Sequence, residues 1–276
     1  MTTGEVHLFG ANRTKRTVSR RSLHGRVAYK LGHKIVSGEI AEGEMLSTEV
    51  AASADFDVSR TAYREAIKLL SAKGLVESRP KVGTRVRART DWNMLDPDVL
   101  LWASEMALIS DFSNTLFEFR LIIEPAAARM AAQKQLVQPL SDMRSAMARM
   151  ASSEPATCEN VSADLEFHAA ILRGSGNELL SSLGYVTEAL LAQSFEVSAR
   201  RPGVREASLP LHQAVCDRIL ARDAAGAETA MATLLTSARA DIDAVVNMLD
   251  DEMTPEPPRP EPAQEPSIAR RAQGED

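Results

Sequence analysis

The 276-residue sequence has few cysteines, few aromatic residues and no long apolar run. Its two cysteines, Cys158 and Cys216, cannot form a disulfide framework in a chain of this length, and their positions do not suit a zinc site. No segment approaches the roughly 20 consecutive apolar residues of a membrane helix. These absences exclude a disulfide-stapled secreted fold and a membrane-spanning one, so we expect a cytoplasmic protein without a membrane partner.

The net charge of −6 is not spread evenly along the chain. Residues 1–90 contain 17 Lys and Arg against 9 Asp and Glu, a net charge of +8. Residues 91–276 contain 15 against 29, a net charge of −14. Because a concentrated basic block favours a polyanionic partner, the sequence predicts a nucleic-acid-binding head joined to an acidic body.

The pattern of apolar residues and of helix breakers predicts a mostly α-helical chain. Strand signals are nearly absent after residue 90, and breaks divide the second part into six or seven helices, an all-α bundle. The predicted organisation is a basic flexible arm at 1–22, a winged helix-turn-helix at 23–89, a bridge at 90–106, a helical domain at 107–249 and a disordered, proline-rich acidic tail at 250–276.

The head contains the pattern of a helix-turn-helix. A first helix at Thr48–Ala54 and a short turn lead to Ser59, a good N-cap for a second helix. One face of the second helix is apolar, and Arg60, Arg64 and Lys68 repeat every four residues on a neighbouring face. A helix of this kind can enter the major groove of DNA, with Arg60 and Arg64 near base edges.

A wing follows the second helix. Two short alternating segments, Leu75–Ser78 and Thr84–Val86, surround a basic tip that runs from Arg79 to Gly83. The charges of the tip suit contact with phosphate or with the minor groove. Each arginine alone would fit a solvated surface, but three elements in this order favour DNA binding.

The stretch GEMLSTEVAASADFDVSRTAYREAIKLLSAKGLVESRPKVGTRV resembles the winged-helix domain of GntR-type transcription regulators, over Leu23 to Val86. The resemblance implies binding to a palindromic double-stranded DNA operator. Two positions depart from the pattern: Ser47 replaces a usual proline, and Val50 stands where some members have a DNA-contacting arginine. The residues assigned to DNA binding are Thr48, Ser59, Arg60, Thr61, Arg64, Arg79, Lys81 and Gly83.

Arg120 and Glu124 lie four residues apart in FEFRLIIEPAAARMAA and therefore share one face of a predicted helix. If the pair is exposed, it is an ordinary salt bridge worth less than about 1 kcal/mol. If it is buried, the guanidinium can hold a ligand carboxylate through two hydrogen bonds.

Asp164 and His168 have the same spacing in DLEFHAAILRGSGN, and His212 follows in LPLHQAVCDRILARD. One carboxylate and two imidazoles suit a divalent cation, although two such residues at helical spacing more often mean a satisfied histidine. Without a metal ion, His168 and His212 would hydrogen-bond the hydroxyl groups of a polyhydroxylated ligand.

From about Asp111 to Val246 the sequence resembles the FCD effector domain found in the FadR branch of the GntR family. The resemblance implies a homodimer whose helical domain binds a small carboxylate effector and a metal ion. The last metal-binding histidine of the family is missing, because Leu234 stands at its position. The implied residues are Arg120, Glu124 and Asn177 for the effector and Asp164, His168 and His212 for Zn, Ni or Mn.

Both tryptophans, Trp92 and Trp102, lie in the bridge segment DWNMLDPDVLLW. Their rings are most simply explained as packing between the two domains. The bridge also resembles that of sugar-acid regulators of the galactonate-operon type, a subgroup that likewise lacks the last histidine. The resemblance therefore implies a repressor that responds to a sugar acid.

Two other functions stay open. A constitutive or architectural DNA-binding dimer would keep the basic head and need no effector. A metal-dependent enzyme would use Asp164, His168 and His212 to activate water, with Glu124 or Glu166 as acid or base. The enzyme hypothesis leaves the basic head without a role.

Overall fold

The computed structural model describes residues 22–105, 112–154, 157–184, 186 and 204–253. Almost all of the predicted basic arm and of the proline-rich tail lies outside these ranges. Residues 106–111, where the predicted bridge joins the body, also lie outside them. The described ranges are mostly helical, with a small two-stranded sheet, which confirms the predicted fold class. Within them, every helix is too short or too polar to cross a membrane.

Three helices begin the head: α1 at Leu23–Val36, α2 at Glu49–Asp55 and α3 at Arg60–Ala72. A hydroxyl side chain starts each of them, because its oxygen accepts a hydrogen bond from a backbone amide of the first turn. Ser22 caps α1, Thr48 caps α2 and Ser59 caps α3. The helix-turn-helix predicted from the sequence is therefore formed by α2 and α3.

The wing is an antiparallel hairpin of β1, Val76–Arg79, and β2, Gly83–Val86. Its strands are short. The end of the hairpin away from the turn is held in place, because Val76 pairs with Val86 and both are buried in the core of the head. Gly74 connects α3 to the hairpin with a φ of 78°. A Cβ at this position would lie 2.5 Å from the carbonyl oxygen of Asp91, so the turn requires glycine.

The bridge packs on the head. After a 3-10 turn at Arg89–Asp91, helix α4 spans Pro97–Glu105 and lies against α1. Trp92 and Trp102 are both buried in the head's own apolar core, so the prediction that their rings pack between the domains is wrong. The sequence could not show that Gly32 of α1 provides the space that the ring of Trp102 fills.

The described part of the body is a helical bundle. Its helices are α5 at Phe112–Lys134, α6 at Val137–Ser152, α7 at Cys158–Gly174, α8 at Glu178–Ser182, α9 at Val204–Leu220 and α10 at Ala224–Met253. Helix α7 packs on α5 and α6, and α10 packs on α5 and α9. Small side chains on α5 allow this close approach, since Ala127, Ala128, Ala131 and Ala132 are all buried.

We predict that Gly32→Ala destabilises the head. The new Cβ would lie 2.3 Å from a ring carbon of Trp102, which leaves no room for a methyl group. Overpacking of a core in this way costs about 1–3 kcal/mol. Urea unfolding followed by tryptophan fluorescence measures the loss, because both tryptophans lie in the head.

Gly184→Ala is the matched control for this substitution. Its Cβ would lie 3.9 Å from Ala169 in the body, an ordinary contact distance, so we expect no loss of stability when unfolding is followed by far-UV circular dichroism. Equal unfolding midpoints for Gly32→Ala and the wild type would contradict the packing of Trp102 on α1.

Candidate functional site

The first candidate site is the exposed surface formed by α3 and the wing. Arg60, Thr61 and Arg64 lie in the first two turns of α3 and are exposed. Tyr63 and Ala66, on another face of the same helix, are buried. All eight residues that we predict to contact DNA are exposed: Thr48, Ser59, Arg60, Thr61, Arg64, Arg79, Lys81 and Gly83.

Several of these arginines form ion pairs with neighbouring glutamates. The Nε atom of Arg64 lies 2.5 Å from Oε1 of Glu49, which links α3 to α2. In the wing, Glu77 accepts hydrogen bonds from Arg85 and Arg79, and the bond from Arg85 is the main cause of the lowered pKa of Glu77. The arginine side chains of these pairs are exposed, although the glutamates are partly buried. The guanidinium groups are therefore accessible to a phosphate.

The tip of the wing has an unusual backbone. Lys81 has a φ of 65° and Gly83 a φ of 116°. A Cβ at position 83 would lie 2.8 Å from the methyl group of Met45, on the segment that pairs with Arg85 of β2. Glycine therefore lets the wing fold closely onto the chain that leads into α2, and the turn presents Lys81 at the tip.

The second candidate site is a cluster of five polar side chains inside the bundle. Four of them are almost completely buried, with exposed fractions of 1% for Arg120 and Glu124, 2% for His168 and 5% for His212. The fifth, Asp164, is partly exposed. Three helices supply them: α5 carries Arg120 and Glu124, α7 carries Asp164 and His168, and α9 carries His212.

Glu124 connects the two halves of this cluster. One of its oxygens lies 2.5 Å from Nε of Arg120, and the other accepts a hydrogen bond of 2.6 Å from Nδ1 of His168. The alternative that Arg120 and Glu124 form an exposed salt bridge is therefore excluded. Since an ionised carboxylate can only accept, the contact assigns a proton to Nδ1 of His168.

The charges around Glu124 determine its protonation state. Burial alone would raise the pKa of this carboxyl group, but the charges of Arg120 and His168 outweigh it and lower the pKa to about 2. Burial also works against the charged form of His168, and the carboxylate of Glu124 outweighs it, so the pKa of His168 is raised. Each buried charge thus depends on its partners.

One carboxylate oxygen of Asp164 lies close to both imidazole rings. Its Oδ1 lies 2.9 Å from Nε2 of His212 and 3.5 Å from Nε2 of His168. Burial would raise the pKa of Asp164, but the hydrogen bonds from the two imidazoles hold it well below the usual range. The carboxylate is therefore ionised at neutral pH.

The orientation of the two rings fits a metal site. Nδ1 of His212 contacts the carbonyl oxygen of Ser208 at 2.9 Å, and Nδ1 of His168 contacts Glu124. Metal-binding histidines are typically held in this way, with one nitrogen on a carbonyl or carboxylate and the other directed to the ion. The ligand atoms of Asp164, His168 and His212 all lie within 4.8 Å of one another.

Two other buried residues of the bundle are unsuited to bind a metal ion. Leu234, at the position of the family's last histidine, is 2% exposed and belongs to the apolar core of the bundle. Cys216 is also buried, and burial raises the pKa of its thiol to about 11, so it stays protonated and binds metal poorly. Among the residues that the structure describes, the candidate donor set is Asp164, His168 and His212.

Two other polar residues have local structural roles. The side-chain oxygen of Asn177 accepts hydrogen bonds from the amides of Leu179 and Leu180 and caps α8. Glu166 forms an ion pair with Arg173. The carbonyl of Ser208 is a contact that the sequence analysis missed, because a backbone oxygen leaves no residue-type signal.

Two family models match the chain. The model described as "Bacterial regulatory proteins, gntR family" matches residues 23–86, and the model described as "FCD domain" matches residues 115–237. The first match covers the helix-turn-helix and the wing, and the second covers the part of the bundle that contains the buried cluster.

Curated proteins and solved structures agree with these matches. The chain is 31% identical to the HTH-type transcriptional regulator YieP of Escherichia coli K12, over 79% of this chain and 95% of YieP. It is 32% identical to the galactonate operon transcriptional repressor of the same strain, over 77% of this chain and 93% of that protein.

Among solved structures, the fold resembles that of Lar, described as controlling the expression of the Listeria monocytogenes agr system and mediating virulence. The TM-score is 0.56 at 17% identity, over 81% of this chain and 98% of that one. This likeness shows the fold.

We predict that Arg120→Met destabilises the body by about 3–5 kcal/mol, because it leaves the carboxylate of Glu124 buried without its guanidinium partner. The double variant Arg120→Met with Glu124→Leu removes both charges and should be less destabilised than the single variant. Urea unfolding followed by far-UV circular dichroism, with a chelator present, measures both.

Arg218→Met serves as the control for the loss of an arginine ion pair. The side chain of Arg218 is 59% exposed and pairs with Asp223, so its loss should cost less than about 1 kcal/mol. Similar costs for Arg120→Met and Arg218→Met would contradict the burial of the cluster.

Proposed function

This chain belongs to the GntR family of bacterial regulatory proteins that carry an FCD domain, and we propose that it is a repressor released from its operator by a small sugar acid. It is a transcription regulator rather than an enzyme, as are the relatives that it matches. The metalloenzyme hypothesis from the sequence is thereby wrong.

The buried cluster is the observation on which the effector half of the proposal depends. Ion pairs inside a protein stabilise it no better than well-packed apolar residues of the same volume, because each charge loses its hydration. Five polar side chains in the interior of a helical bundle therefore indicate binding rather than stability. A constitutive DNA-binding dimer would have no use for them.

The head supports the DNA-binding half of the proposal. In a homodimer, two copies of α3 would enter successive major grooves of a palindromic operator, with Arg60 and Arg64 at base edges. The wing would place Arg79 and Lys81 on phosphates or in the minor groove. The acidic body would keep the duplex away from surfaces other than the head. Action on chromosomal DNA places the protein in the cytoplasm.

The effector carboxylate would bind at Arg120. Glu124 occupies the Nε and Nη2 sides of this guanidinium, which has five N–H donors in all, so donors remain for a second carboxylate. The low pKa of Glu124 keeps it ionised, so Glu124 would stay paired with Arg120 while the effector binds. Asn177 would contribute through its amide nitrogen, since its oxygen caps α8.

A divalent ion, Zn, Ni or Mn, would be held by Asp164, His168 and His212. It would act as a Lewis acid for carboxylate or hydroxyl oxygens of the effector. Glu124 and the carbonyl of Ser208 orient the two imidazoles toward this position. Leu234 supplies no ligand atom, so coordination positions stay available to the effector or to water. The galactonate operon repressor among the relatives supports a sugar acid as the effector.

We predict that Arg64→Ala weakens binding to DNA from upstream of the protein's own gene by about 1–3 kcal/mol, because a base-edge contact is lost. Fluorescence anisotropy with a labelled duplex at fixed salt measures the change. Arg218→Ala removes an exposed arginine from the body and should leave the affinity unchanged. Equal affinities for Arg64→Ala and the wild type would mean that α3 is not the recognition helix.

We also predict that a sugar acid raises the melting temperature of the wild type and releases it from that duplex. At 100 times its Kd, a ligand stabilises the folded state by about 2.7 kcal/mol. A thermal-shift screen with galactonate, gluconate and glucarate, repeated with a chelator, measures the effect. The chelator should reduce the shift, since it removes the ion.

Two variants separate the contributions to this shift. Arg120→Lys keeps the positive charge and loses the two-pronged hydrogen bonding, so the shift should fall even with metal present. His212→Ala should lose the metal-dependent part alone. If the operator complex forms and responds to none of the acids, the protein is a constitutive DNA-binding dimer.

A further inference from the structure

Lys73 directly follows the recognition helix α3 as its C-cap residue and is buried despite its charge. The residue is 7% exposed, and its Nζ atom lies 2.8 Å from Oδ1 of Asp96 and 2.6 Å from Oδ2 of Asp98. Asp98 is itself 3% exposed. A buried ammonium group that is engaged by two carboxylates is not placed to contact DNA phosphate, so this lysine has a different role from the basic residues on the exposed face.

The two carboxylates belong to the start of α4. Oδ1 of Asp96 also accepts hydrogen bonds from the backbone amides of Asp98 and Val99, at 2.9 and 3.3 Å, and so caps this helix. The same side chain therefore caps the start of α4 and binds the C-cap residue of the recognition helix. The backbone adds a further link, because the amide of Asn93 donates to the carbonyl of Lys73 at 2.9 Å.

The rest of α4 is held by apolar packing. Trp102 lies edge-on to Tyr29, with ring centroids 6.0 Å apart, and fills the space above Gly32. Its indole Nε1 is buried and makes no hydrogen bond with the residues that the structure describes. Apolar contacts of this kind are not directional, whereas the ammonium group is bound to two carboxylates at once. The ionic end consequently defines where α4 lies relative to α3.

Stability does not account for this cluster. The ammonium and the carboxylate of Asp98 are buried and lose their hydration, and Asp96 is only partly exposed. Apolar residues of similar volume would serve the core equally well. The exposed ion pairs of the head, such as Lys34 with Glu39, can rearrange freely in water. What the buried cluster supplies is a single allowed geometry between two helices.

We infer that Lys73, Asp96 and Asp98 form a latch through which the position of α4 and that of the recognition helix determine each other. The inference rests on the proposed function, since α4 leads along the chain to α5, which carries Arg120 of the effector site. Lys73 is thus a positioning residue for regulation. Because such coupling is reciprocal, operator binding must stabilise the packing of α4 on the head by the same free energy that this packing adds to operator binding.

Hydrogen exchange of the full-length chain without DNA tests the latch directly. Lys73→Met and Asp98→Asn should raise amide exchange at residues 100–103 of α4 by about tenfold, while amides of α6 and α7 stay unchanged. Asp91→Asn is the matched control, because Asp91 lies in the same segment and forms an exposed pair with Arg87. Exchange in α4 that is the same in Lys73→Met as in the wild type overturns the inference.

Operator DNA tests the coupling. The upstream duplex should slow α4 exchange in the wild type by several-fold. Lys73→Met keeps Arg60 and Arg64 and should still bind the duplex, but DNA should no longer slow exchange in α4. A variant whose α4 is protected by DNA as in the wild type would overturn the coupling.

A second variant separates loss of the latch from loss of folding. Lys73→Met combined with Asp98→Leu replaces ions by apolar groups and should keep α1 and α3 protected while uncoupling α4 from DNA. Full wild-type coupling in this double variant overturns the inference. If the wild type fails to bind the duplex, the proposed function is contradicted, and the DNA-free exchange still decides whether the latch exists.

Discussion

A carboxylate that is 1% exposed persists inside a helical bundle only when positive partners surround it, and Glu124 has two of them. Glu124 lies between the guanidinium of Arg120 and the imidazole of His168. Its contact with Nδ1 orients the imidazole so that Nε2 is directed to Asp164. The halves of the buried cluster that we propose for anion binding and for metal binding are thus one electrostatic unit. Each group keeps its charge because of the next, so the site is preorganised before any ligand arrives.

The protein uses the same ion-pair chemistry in two environments for two purposes. On the surface of the head, the side chain of Arg64 is 69% exposed and pairs with the partly buried Glu49, so the arginine is accessible to a partner. In the interior, Arg120 and Lys73 pair with carboxylates away from water, where one partner cannot be lost without a large cost. Exposed pairs therefore suit exchangeable contacts, and buried pairs suit sites whose geometry must be maintained.

Much of the fold followed from local sequence patterns. Ser59 before an amphipathic segment predicted the start of α3, and the alternation on both sides of a basic tip predicted the wing. The three possible metal ligands were found by residue type and helical spacing, and the structure brings them together. The tryptophans were placed wrongly, because the space that Trp102 fills is made by a glycine in α1 that has no pattern of its own. Asn177 was assigned to the effector, and the structure uses its oxygen to cap α8.

The sequence by itself determined the basic head, the order of its elements and the candidate residues for a metal ion or an anion, since these depend on charge, residue type and spacing. Only the tertiary structure decided that Arg120 and Glu124 are buried, that Glu124 reaches His168 of another helix, and that Lys73 is bound to Asp96 and Asp98 of α4. The reason is physical: whether an ion pair is a weak surface contact or a strong constraint depends on its hydration. Hydration is set by the helices that pack around a residue, and these come from distant parts of the chain.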